Sequence, residues 1–171
     1  MELGFKKILM ELDFRKIFLA NFISSIIVIS AVFILQYNFK LPPCDMCIKE
    51  RYPYYILIII SLFFLLGFNG RKSSIILSTV SIISISVGTF YTMYHIGIER
   101  NLIKGMSACS SIIETSNTSD LLNMIKKTPI IRCDEPTLVL QLISLAELNL
   151  ITMSILLILN LTFIIHYVRK R

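Results

Sequence analysis

The sequence predicts an all-α integral membrane protein: a bundle of four transmembrane helices with two outer loops that each bear a cysteine pair. Three observations predict it. Of the 171 residues, 55% are hydrophobic and 16% charged, against about 45–50% and about 25% in a soluble domain. The apolar residues gather in four stretches, 17–39, 52–70, 73–98 and 148–168, none containing Asp, Glu, Lys or Arg. All four cysteines fall between these stretches. A mean hydropathy of +0.75 excludes a disordered chain and argues against a water-soluble globule. Residues 1–171 read as a single membrane domain.

Each stretch is long enough to be a span, because about twenty helical residues at 1.5 Å each cover the roughly 30 Å of a hydrocarbon core. A charge at a span's centre costs about 2.5–3.5 kcal/mol, so four charge-free runs are not accidental. Ahead of the first, residues 1–16 place Phe5, Ile8, Leu9 and Leu12 at helical spacing. That leader reads either as an amphipathic turn on the membrane surface or as a frayed tail. The first stretch exceeds the h-region of a secretory signal and lacks a small-x-small cleavage site, so it is expected to be retained.

The first outer loop, about 40–51, holds Cys44 and Cys47, with Pro42 and Pro43 before them and Pro53 after. The prolines stiffen a short segment pinned between two helices. The second outer loop, about 99–147, holds Cys109 and Cys133. Within it, Ser119 and Asp120 suit the cap of a short helix, Leu121 to Lys127, closed by Thr128-Pro129. Asn117-Thr118-Ser119 matches a glycosylation sequon, which we read as chance.

Charge sets the orientation. Nine cations (Lys6, Lys7, Arg15, Lys16, Arg71, Lys72, Arg169, Lys170, Arg171) lie on one side with Glu2, Glu11 and Asp13, giving that side the whole net +6. The other side carries eight cations and eight acids. Lys and Arg at helix ends face the cytoplasm, which puts both termini there. This also removes the need for nucleic acid to explain a pI near 9.2. Cysteines confined to the far side fit an oxidising compartment, where disulfides persist.

Four cysteines allow three pairings. Cys44-Asp45-Met46-Cys47 can close on itself and is a spacing often redox-active. Cys109 and Cys133, 24 residues apart, would close a loop, either redox-active or purely structural. A four-cysteine zinc site has two short-spaced pairs, so no metal is expected. No strand–helix–strand pattern surrounds the motif, which excludes a thioredoxin domain. Asp45 opposes thiolate formation, whereas Lys49 and Arg51 favour it. A redox pair held at the membrane surface can exchange electrons with something dissolved in the bilayer.

These residues resemble a known family. Cys44-Asp45-Met46-Cys47-Ile48-Lys49-Glu50-Arg51 is similar to the first-loop motif of the bacterial disulfide-bond formation protein DsbB family, Cys-x-x-Cys followed by Glu-Arg. Tyr94-His95-Ile96-Gly97-Ile98-Glu99 with Ala108-Cys109-Ser110, and Arg132-Cys133-Asp134-Glu135-Pro136, resemble its later segments. The resemblance implies a bacterial inner-membrane thiol oxidase. It would reoxidise a periplasmic thioredoxin-like oxidase of the DsbA kind and pass two electrons to a quinone, ubiquinone or menaquinone, of the respiratory pool. It further implies that Cys109 forms the mixed disulfide with the partner, Cys133 attacks Cys44, and Cys47 is left as thiolate beside the quinone. Arg51 and His95 would then flank the quinone. Movement of Cys133 between Cys109 and Cys44 would need a mobile second loop. The absence of a flavin or nucleotide fingerprint agrees with an acceptor taken from the bilayer.

Other readings stay open at this level. His95 and His166 lie near opposite ends of their spans, so they cannot share a haem, and His166 reads as interfacial. A quinone-linked oxidase resembling the vitamin K epoxide reductase family would place its quinone-facing Cys-x-x-Cys late in the chain. A non-catalytic membrane protein with two structural disulfides is the remaining alternative.

Overall fold

The computed structural model describes residues 2–67, 70–103 and 143–169. Cys109, Cys133 and the helix expected at 121–127 lie outside them. Five helices are described: α1 (Glu2–Tyr37), α2 (Asp45–Lys49), α3 (Tyr52–Leu65), α4 (Arg71–Glu99) and α5 (Leu145–Arg169). The helices α1 and α3 pack together, as do α4 and α5, and α3 also lies on α4. The result is a bundle with no strand among the described residues.

Among the described residues, three helices are long and apolar enough to cross a membrane: Phe14–Tyr37, Lys72–Glu99 and Leu145–Arg169. The first expected span, 17–39, is part of a 36-residue helix that starts at Glu2, so the leader continues the span. The second, 52–70, is corrected. Its helix ends at Leu65 after 14 residues, about 21 Å at 1.5 Å per residue. Leu66 caps it and Gly67 adopts a φ of +119°, a turn that glycine makes without a Cβ clash. Hydropathy continues past this point although the helix does not. The segment expected as the first outer loop, about 40–51, contains α2.

Among the described residues the bundle mixes polar with apolar side chains inside and is apolar outside. Ser25, Ser61, Ser81, Thr92, Asn21 and Asn160 are buried, while Ile27, Phe63, Ile76, Phe90 and Ile158 are more than half exposed. That distribution suits lipid, in which exposed apolar side chains cost nothing and helices associate through packing and internal hydrogen bonds. Asn21 of α1 and Asn160 of α5 exchange two amide hydrogen bonds of 3.0 Å each. A Cβ on Gly88 would lie 2.8 Å from Pro53 Cγ and 3.2 Å from Met153 Cε, so this glycine lets α3, α4 and α5 meet closely.

Three apolar clusters stack along the bundle. Phe14, Phe18, Ile60, Phe64 and Tyr167 fill the end nearest the termini, with Phe18 and Phe64 stacked at 4.2 Å. Ile29, Tyr54, Leu57, Ile85, Met153 and Leu156 fill the middle. Cys44, Met46 and Ile98, against Cys47, Tyr91 and Tyr94, fill the far end. The cysteine pair is thus part of the packing.

Candidate functional site

The motif is positioned by α2, which begins directly after two prolines. Cys44 is its N-cap, and its sulfur accepts a hydrogen bond from the Cys47 backbone N–H at 3.2 Å. The cap folds the motif back on itself and brings the two sulfurs to 2.7 Å. Cys44 is buried and Cys47 half-buried. The hydrogen bond with Cys47, then burial, push the Cys44 thiol well above the ordinary thiol range, while a hydrogen bond with His95 pulls the other way.

His95 arrives from α4, 1% exposed. Its Nε2 lies 3.7 Å from Cys44 Sγ, and its Nδ1 lies 2.6 Å from Glu50 Oε1. The other Glu50 oxygen accepts from Asn149 Nδ2 at 2.8 Å. Asn149 is fixed in turn: its Nδ2 also donates to Thr92 Oγ1 at 3.0 Å, and its Oδ1 accepts from Tyr54 OH at 2.6 Å. A carboxylate accepts only, so Glu50 keeps a proton on Nδ1 and confines proton exchange to Nε2, the nitrogen facing the cysteine. Beyond His95, Glu99 Oε1 lies 3.8 Å from Nε2 and Glu99 Oε2 accepts from Ser144 Oγ at 2.8 Å. At the surface Arg100 pairs with Glu147.

Arg51 turns the opposite way, towards α1. Its Nη1 donates to Gln36 Oε1 at 3.0 Å, and its guanidinium carbon lies 5.6 Å from the centre of the Phe33 ring. Its buried Nε has no hydrogen-bond partner among the described residues. No carboxylate pairs with it there either. A cleft of about 510 Å³ joins these groups: Cys44, Cys47, Arg51 and His95 line it, together with apolar residues of α1 such as Val28, Val32 and Leu35.

The protein-family comparison matches residues 14–163 to the family described as Disulfide bond formation protein DsbB. The chain belongs to the DsbB family. This is a family of membrane-bound, disulfide-forming oxidoreductases. An uncharacterized protein of Rickettsia prowazekii (strain Madrid E) is 33% identical over 146 residues, covering 84% of this chain and 83% of its own length. Disulfide bond formation protein B of Methylobacillus flagellatus is 27% identical over 117 residues, covering 66% of this chain and 70% of its own. No solved structure matches.

Four of the six DsbB-type residues singled out in the sequence, Cys44, Cys47, Arg51 and His95, share the cleft. Cys109 and Cys133 lie outside the described residues. Asp45 is exposed, so its opposition to a thiolate is screened by solvent. His166 is exposed in the last turn of α5. Sequence reasoning missed Gln36, Tyr54, Glu99 and Asn149, and gave Glu50 no role of its own. The available signal for Gln36 and Asn149 was a polar amide inside an otherwise apolar span.

Proposed function

We propose that this protein reoxidises a periplasmic DsbA-like thioredoxin-fold oxidase by disulfide exchange and delivers the electrons to a membrane quinone. The observation that carries this reading is the cleft itself. A Cys-x-x-Cys pair with its sulfurs 2.7 Å apart opens into a largely apolar cavity beside a buried guanidinium whose Nε lacks a partner among the described residues. A quinone fits that chemistry: its ring suits the apolar wall and its carbonyl oxygen needs a donor of the kind Arg51 Nε offers. Arg51 would hold it, with His95 on the opposite side. Bound there, a quinone supplies a two-electron, two-proton sink.

The chain's own residues account for the other steps. The partner's thiolate attacks the Cys109–Cys133 disulfide at Cys109 and releases Cys133. The second partner thiol displaces Cys109, so the partner leaves oxidised and this chain keeps two electrons. Cys133 then attacks Cys44, forming a Cys133–Cys44 disulfide and releasing Cys47 as thiolate. Cys109 closes on Cys133, and Cys44 leaves as thiol. His95 Nε2 is placed to give Cys44 its proton and to take it back when the Cys44–Cys47 bond re-forms. Arg51 lowers the cost of a thiolate at Cys47.

The proposed orientation puts both termini in the cytoplasm and both cysteine loops in the periplasm. α3 and its flanking residues complete a fourth crossing within a single membrane domain. The DsbB match supports the cysteine order, with the acceptor-facing pair first.

The test is turnover by the purified full-length chain with a reduced DsbA-type protein and ubiquinone or menaquinone. We expect partner oxidation and quinone reduction in equal amounts, and loss of both in Cys47→Ser. Persistence of quinone reduction in that variant would refute the reading.

A further inference from the structure

Three of the side chains that line the cleft, Cys44, Cys47 and His95, form a ligand set that the four cysteines alone do not suggest. Cys44 Sγ, Cys47 Sγ and His95 Nε2 all lie within 4.8 Å of one another. We propose that, when the Cys44–Cys47 pair is reduced, these three atoms bind one zinc ion as a reversible inhibitory occupant of the cleft.

Distances support the ligand set. Tetrahedral zinc, with bonds of about 2.3 Å to sulfur and about 2.05 Å to nitrogen, places a sulfur about 3.6 Å from the imidazole nitrogen and two sulfurs about 3.8 Å apart. Cys44 Sγ already stands 3.7 Å from His95 Nε2. The sulfurs, at 2.7 Å, need to open by about 1 Å, a movement within reach of a side-chain rotation at half-buried Cys47.

Orientation supports it independently. A zinc-bound histidine almost always donates its other ring N–H to a carboxylate or carbonyl. His95 Nδ1 already meets Glu50 Oε1 at 2.6 Å, and Asn149 holds the other Glu50 oxygen. The imidazole is therefore fixed with Nε2 directed at the sulfurs before any metal arrives. Three protein ligands leave the fourth tetrahedral position to water from the cleft.

Charge balances as well. Binding releases two thiol protons, and two thiolates with one Zn²⁺ sum to zero, which suits a largely buried site. Thiolate and imidazole ligands select zinc over magnesium or calcium. No electron moves. The oxidised pair offers no thiolate and so does not bind, and the zinc-bound pair cannot close its disulfide until the metal is removed. Zinc content is read without partner or quinone, so its failure leaves the oxidase reading standing.

The experiment uses the full-length chain in detergent, reduced without oxygen and freed of reductant, then loaded with zinc and passed over a sizing column. We expect one zinc per chain when reduced and less than about a tenth when oxidised. A Cys109→Ser, Cys133→Ser double variant should keep the ion. Adding Cys47→Ser to that double variant should release it, and adding Glu50→Gln instead should weaken it about 10–100-fold. Cobalt in the unsubstituted reduced chain should give the intense absorption of a tetrahedral thiolate site, which no folding defect can mimic. Zinc that disappears with Cys109 and Cys133, equal zinc on the oxidised chain, or a six-coordinate cobalt spectrum would each overturn the site.

Discussion

Replacing Glu50 by glutamine tests how the buried network works. Glu50 Oε2 faces Asn149 Nδ2 and Oε1 faces His95 Nδ1. Asn149 cannot turn over to present its oxygen, because Tyr54 OH donates to Oδ1 while Nδ2 reaches Thr92 Oγ1. A glutamine must therefore direct its amide oxygen at Asn149 and its NH₂ at His95. Nδ1 then has to accept, the ring proton moves to Nε2, and the nitrogen facing Cys44 can no longer take a proton. Losing a general base costs about 10²–10⁴ in rate, and exchanging a charge-assisted hydrogen bond for a neutral one costs about 1 kcal/mol of orientation. Closure of the Cys44–Cys47 disulfide should slow about a hundredfold or more, about 2.7 kcal/mol at 1.36 kcal/mol per decade. The assay is single-turnover quinone reduction by the reduced chain with Cys109→Ser and Cys133→Ser, with chelator present to exclude metal. Glu50→Asp, which keeps a carboxylate, should recover part of the rate. A Glu50→Gln rate within twofold of the parent, with the fold intact, would show that the carboxylate does not set the histidine's proton.

Cys44 has a folded-state pKa above its unfolded one, so the reduced protein holds more protons folded than unfolded at high pH. Its stabilising contribution is fully present below the unfolded thiol value and is lost as pH rises above roughly 8.5. Chemical denaturation of metal-free protein should show the reduced form weakening across that alkaline window and the disulfide form lacking that component; parallel curves would contradict it. Gly88→Val pushes side-chain carbon into Pro53 and Met153 and should cost about 1–3 kcal/mol as overpacking, read as an earlier unfolding midpoint in mixed micelles. Asn160→Leu alone strands Asn21 and should destabilise by about 0.6–1.7 kcal/mol, whereas Asn21→Leu with Asn160→Leu should recover most of that loss. A double variant as weak as the sum of the singles would show that the two amides are not coupled.

The spans were legible because a charge-free run in lipid needs no partner to be recognised: 73–98 and 148–168 correspond closely to Arg71–Glu99 and Leu145–Arg169. The end of α3 was not, because Leu66, Gly67 and Phe68 are as apolar as the helix before them and only the positive φ of Gly67 marks the stop. In the site, Cys44, Cys47 and Arg51 are neighbours in one loop and could be read together. The Glu50–His95 contact joins residues 45 positions apart, and Asn149 comes from α5, so no local pattern encodes them. Adjacency also misled: Asp45 sits between the cysteines yet is exposed, while the acid that reaches the cysteine's histidine is Glu50.

The Glu50-Arg51 dipeptide shows why two opposite charges can stand side by side without cancelling. Both residues have right-handed helical φ and ψ, and successive residues in that conformation diverge by about 100°. Glu50 is therefore sent to α4 and α5, where His95 and Asn149 use both its oxygens, and Arg51 is sent to α1, where it meets the neutral Gln36 and the Phe33 ring. Both are buried, at 7% and 9% exposure, and a direct pair between them would be the cheaper arrangement for each. Keeping them apart leaves Arg51 with no carboxylate partner among the described residues and His95 oriented by Glu50, both lining one cleft. An unpaired buried charge is costly in a membrane protein and is retained where the site uses it. Glu50 and Glu99 line the same cleft, but Glu50 is engaged by His95 and Asn149 and Glu99 by Ser144, so the separation of Glu50 from Arg51 leaves the guanidinium to favour an anion at the cysteine pair.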